Sequence, residues 1–138
     1  MKRFKFNLEK ILQLRKFREE ECKLALGHAV AALNKIENEI METAVKRHNA
    51  ASNRFADVGE ILSWENYILW LDRQTQNLME QAAQAELVVE EKRAAYLEAS
   101  KDLKALEKLK EKQQKEYRKE TMYLQMAEVD DITAARYR

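Results

Sequence analysis

The side chains best suited to metal binding or thiol chemistry in this chain are His28, His48 and Cys22. A metal site on a helix needs histidine and carboxylate ligands three or four residues apart. Neither histidine has such a neighbour. Glu86 and Glu90 are four apart, but no histidine stands beside them. A single cysteine makes no intramolecular disulfide and no thiolate cage. With only Gly27 and Gly59, the chain has no glycine-rich phosphate loop and no nucleophile elbow. These residues therefore lead to no catalytic centre, no cofactor and no metal. The chemistry to be explained is recognition of partners.

The elements that would present a recognition surface are long helices. The chain has no proline and an apolar repeat of period 3.5 through its second half. Stepping by three and four from Ile61 gives Trp64, Ile68, Leu71, Thr75, Leu78, Ala82, Ala85, Val89, Lys92, Tyr96, Ala99, Leu103, Leu106, Lys110, Gln113, Tyr117, Glu120, Leu124 and Ala127. Fifteen of these twenty positions are apolar, which sets one helix face against another helix over many turns. A similar run, Leu26, Ala29, Leu33, Ile36, Ile40 and Thr43, lies in the first half, preceded by the apolar residues Leu8, Ile11, Leu12, Leu14 and Phe17.

The fold class expected is all-α: a two-helix antiparallel coiled-coil hairpin forming one domain over 1–138. Helix one spans about 7–56, with Asn7 as its N-cap. The turn spans about 57–63, with Gly59 supplying the positive φ that ends a helix. Helix two spans about 64–135, capped by Ser63. In such a hairpin residue i lies beside about 120 − i. Lys92 then falls near Gly27 and His28, where the missing side chain of Gly27 admits a large neighbour. The tail beyond about Gln113 has little or no partner. A parallel dimer of continuous helices is the competing arrangement.

The 138 residues carry a net charge of +1 with 36% charged side chains, which argues against a general nucleic-acid binder. The charge is unevenly placed. Residues 1–20 carry +4, residues 101–120 carry +3 and residues 21–100 carry −5. An antiparallel hairpin brings both basic stretches to the open end, where they can be steered into an acidic cavity. The N-terminus has no apolar run of a secretory signal, and no stretch approaches the ~20 apolar residues of a membrane span. A cytoplasmic protein with no membrane insertion is expected. Beside the turn, Trp64, Tyr67 and Trp70 crowd one short segment with Ile68, Leu69 and Leu71. They either pack locally against Phe55 and Val58 or form an aromatic site for another protein.

Several segments resemble the FliJ family, the small coiled-coil component of the flagellar type III export apparatus. Phe4-Lys5-Phe6-Asn7-Leu8-Glu9-Lys10-Ile11-Leu12-Gln13-Leu14-Arg15 is similar to its N-terminal pattern of an aromatic pair followed by Leu-Glu-x-hydrophobic-Leu-x-Leu-Arg. Trp64-Glu65-Asn66-Tyr67 and Trp70-Leu71 resemble its mid-chain aromatic segment. Leu106 to Lys112, Glu116 to Glu120, and Asp130-Asp131-Ile132 with Arg136 resemble its C-terminal region.

The resemblance implies a stalk similar to the central shaft of rotary ATPases, with no catalysis of its own. It implies binding to, and stimulation of, the hexameric flagellar export ATPase, together with contacts to the export gate membrane protein and to escort chaperones. The residues expected at the ATPase ring are Lys2, Arg3, Phe4, Lys5, Phe6 and Lys10 with Lys108, Lys112, Lys115 and Arg118. Those expected at the gate are Trp64, Tyr67 and Trp70. The family's first-helix tyrosines are replaced here by Val45-Lys46-Arg47-His48-Asn49. The implied location is the cytoplasmic face of the inner membrane at the flagellar base, and the implied form is a monomer. The alternative function is a structural or chaperone-like coiled coil that dimerises or binds client helices.

Overall fold

The computed structural model describes residues 3–52 and 57–136. Two helices make up almost all of them: α1, Glu9–Ala51, and α2, Val58–Arg136. They pack against each other as an antiparallel hairpin. The absence of proline and the wealth of Ala, Leu, Glu and Lys let both helices run unbroken.

Burial follows the 3.5-residue repeat. In α2 every position of the repeat from Trp64 through Tyr117 is buried or half-buried, while Ile61, Glu120, Leu124 and Ala127 are exposed. On the α1 side the seam is Leu8, Leu12, Arg15, Glu19, Cys22, Leu26, Ala29, Leu33, Ile36, Ile40 and Thr43, all buried or half-buried. Ile11, Leu14 and Phe17, by contrast, are 43%, 66% and 61% exposed.

The residues fall into two compact units, 1–20 with 97–138, and 21–96. In the first, Phe6, Leu12 and Leu106 form a buried cluster edged by Phe4, Leu8 and Leu103. Glu9 pairs with Lys110 at 3.0 Å, and Arg15 donates to the Asp102 carbonyl at 2.9 Å. In the second unit Leu71, Leu78, Val89 and Ala50 are buried, and Arg47 pairs with Asp72 at 2.7 Å. Within each unit the ion pair obeys the expected register of i with about 120 − i to within a residue.

The start of α2 differs from the expectation. The helix begins at Val58, not near Trp64, and Ser63 lies inside it. Asp57 is the cap: its carboxylate accepts the Glu60 N–H at 2.8 Å, and its carbonyl accepts the Ile61 N–H at 3.3 Å. Aspartate followed three residues later by glutamate has capping-box spacing, so Asp57 starts the helix six residues before Ser63 could. Gly59 has no positive φ, because it occupies the first turn of α2. Helix one starts at Glu9, with Asn7 in the preceding turn and the Phe6 carbonyl accepting the Glu9 N–H at 3.2 Å. Its last described turn ends at Ser52, whose N–H donates to the Asn49 carbonyl and whose hydroxyl donates to that of His48.

Gly27 is exposed, and a methyl group there would meet nothing within 4 Å. It sits one residue past seam position Leu26, so its lack of a side chain makes no room for a neighbour. Lys92 is half-buried on the seam without that gap. A lysine can lay its aliphatic stem along an apolar seam while its ammonium stays in water.

Candidate partner-binding surfaces

The basic surface belongs to the first unit. The segment before α1 is anchored by its aromatics: Phe6 is only 8% exposed, and the half-buried Phe4 ring lies 5.6 Å from that of Tyr117 at 47°. Phe6 is thus turned into the hairpin's own core, a correction to its expected place on a partner-facing surface. Burial of these rings leaves the cations around them outside. Arg3, Lys5 and Lys10 are exposed, as are Lys108, Lys112, Lys115 and Arg118. Lys2 lies outside the described residues.

On α2 the lysines at 108, 112, 115 and 119 recur at steps of four and three, which places them along one helix face. Glu111 and Glu116 border that face; Glu111 approaches Lys115 only to 3.9 Å, and both side chains of that pair are largely exposed. Such a contact neutralises little of the positive field. Glu9 is already engaged: its carboxylate accepts hydrogen bonds from Lys110 and, at 3.1 Å, from Gln13. These bonds, Lys110's first, hold its pKa below the ordinary carboxylate value.

The aromatic surface belongs to the second unit and divides in two. Trp64 faces the seam and is half-buried, its indole N–H donating to the Ala50 carbonyl at 2.6 Å. That carbonyl is among the last of α1, where intrahelical partners run out. Tyr67 and Trp70 are 42% and 51% exposed and stack on each other, with centroids 6.2 Å apart and planes at 17°. Leu69 beside them is 54% exposed. Phe55, the expected local packing partner, lies outside the described residues. Among the described residues no three His, Cys, Asp or Glu side chains gather as metal ligands, and no helix is long and apolar enough to cross a membrane.

Residues 4–138 match the family described as Flagellar FliJ protein. The chain belongs to that family. It is thereby a flagellar export-related protein, and the match covers both surfaces described above. No curated protein and no solved structure gives a significant match.

In this FliJ-family chain the N-terminal aromatic pair and the Leu-Arg pattern serve the fold directly. Phe4, Phe6, Leu8, Leu12 and Arg15 all pack or bond across to α2. Arg15, Glu19 and Cys22 are seam residues that an apolar search passes over. Their signal was available: the Leu26 run, stepped backward by four and three, reaches Cys22, Glu19, Arg15, Leu12 and Leu8.

Proposed function

We propose that this chain is a stalk for the flagellar export ATPase, binding and stimulating the hexameric ring through its basic end and linking it to the export gate. The observation that carries the reading is the row of exposed cations in the unit that holds both chain ends. Arg3, Lys5 and Lys10 stand on the N-terminal side, and Lys108, Lys112, Lys115 and Arg118 on α2. An acidic ring cavity would attract this end over about a Debye length, roughly 8 Å at physiological salt. A single asymmetric helix pair inside a six-fold ring touches its subunits unequally. It therefore favours some subunit conformations over others, which is how a partner without chemistry accelerates turnover.

The exposed Tyr67–Trp70 stack supports a second contact on the same chain, to the export gate protein, with Leu69 extending its apolar surface. Escort chaperones are further partners in this reading. The working location is the cytoplasmic face of the inner membrane at the flagellar base.

The test is phosphate release by the cognate export ATPase with and without this chain over a range of molar ratios. Stimulation that saturates near one chain per six subunits supports the stalk. Reversing Lys108, Lys112, Lys115 and Arg118 together should abolish stimulation while far-ultraviolet circular dichroism stays unchanged. Full stimulation by that variant would remove the basic end from the mechanism.

A further inference from the structure

Residues 3–8 precede α1 and belong to neither helix. Their exposure alternates. Phe4, Phe6 and Leu8 are buried or half-buried, while Arg3, Lys5 and Asn7 are exposed. A period of two is that of extended chain laid along a surface. Here the surface is the end of the α2 seam. Phe6 packs with Leu12 and Leu106, Phe4 and Leu8 edge that cluster, and the Phe4 ring lies beside Tyr117. Glu9 reaches Lys110 and Phe4 reaches Tyr117, so the segment follows α2 over about 10 Å of helix.

This seating fixes where two cations stand. Lys5 shares an open cleft with Lys110 and Gln114, walled by Phe4, Phe6 and Glu9. Arg3 adjoins Phe4 and Arg118 adjoins Tyr117, so the ring contact brings both to one turn of α2. The local charge is mixed. Residues 107–120 of α2 hold six Lys/Arg against Glu107, Glu111, Glu116 and Glu120, and Glu9 and Lys10 of α1 cancel. Arg3 and Lys5 therefore double the positive excess, from two to four.

We propose that Phe4 and Phe6 are positioning residues for the basic end. They seat the segment on α2, so that an acidic partner meets Arg3 and Lys5 together with the α2 cations as one fixed surface. The partner's identity, an acidic cavity of the ATPase ring, rests on the stalk reading above. The gain is pre-organisation. Released from α2, the segment would let Arg3 wander roughly 13 Å from Glu9. That exceeds the Debye length of about 8 Å, and binding would have to order the segment again.

Binding of poly-L-glutamate to the full chain tests the positioning without the ATPase. Arg3→Ala with Lys5→Ala should weaken binding about tenfold in the parent. In a Phe4→Ala background the same two changes should cost no more than about twofold, because those cations are already loose. Phe6→Leu keeps a buried anchor and should preserve the tenfold dependence. A short bismaleimide joining Phe4→Cys to Tyr117→Cys, in a Cys22→Ala background, reseats the segment without either ring and should restore that dependence. Equal costs in the parent and in Phe4→Ala would show that the cations act wherever the segment lies, and would overturn the proposal. So would a parent chain that does not bind polyglutamate. Stimulation of the export ATPase is a separate readout. A chain that shows the Phe4 dependence on polyglutamate yet leaves the ATPase rate unchanged supports the positioning and removes the stalk.

Discussion

Lys110 stands on the apolar seam of α2, and its ammonium donates to the Glu9 carboxylate at 3.0 Å. Glu9 is the first residue of α1, where a negative charge also faces the positive end of the helix. One pair thus makes a lysine tolerable on the seam and ties the start of one helix to the other.

The pair predicts a pH dependence. Hydrogen bonds from Lys110 and then Gln13 lower the Glu9 pKa from its ordinary 4.5. The folded state therefore favours the ionised form. Its contribution is present above the ordinary value and is lost as pH falls through the lowered one. Glu9→Gln should melt below the parent at pH 7, and the gap should shrink on acidification to about pH 3. The effect is small, since both side chains are partly in water. A gap that widens with acid would refute the assignment.

Gly27→Ala should stabilise the protein by about 1 kcal/mol, because a glycine inside a helix costs about that much relative to alanine. Nothing within 4 Å would obstruct the added methyl group. A thermal or urea melt reads this directly, and a lower midpoint would show a contact at that face.

Leu71 and Leu87 share a helix and differ in phase. Leu71 is 1% exposed and Leu87 is 70% exposed. Leu71→Ala should cost about 2–5 kcal/mol, as for buried leucines elsewhere. Leu87→Ala should stay within about 0.5 kcal/mol. Equal losses in urea titration would mean that the seam phase is wrong.

The aromatic segment should separate into a structural and a recognition part. Trp64→Phe removes the donor to the Ala50 carbonyl and should cost about 1 kcal/mol. Trp70→Ala should leave the melting curve nearly unchanged while weakening capture of the export gate protein's cytoplasmic domain. Undiminished capture by Trp70→Ala combined with Tyr67→Ala would exclude the exposed stack from the gate contact.

By itself the sequence determined the two long helices, the phase of the α2 seam and the clustering of basic residues in 1–20 and 101–120; the choice of antiparallel pairing over a parallel dimer came from the structure. The helices and the seam follow from backbone propensity and from a repeat of 3.5, which are local properties that survive in any arrangement of the chain. What only the tertiary structure decided is the orientation of residues that a list of apolar types treats alike. Leu12 is buried and Leu14 is not; Trp64 turns inward while Tyr67 and Trp70 face out. Arg15, Glu19 and Cys22 take seam places although two of them are charged. The reason is phase. A helix that is apolar on several sides can bury only the face its partner covers, and where the segment preceding α1 reaches Phe4, opposite Tyr117 of α2, burial ends within about a turn.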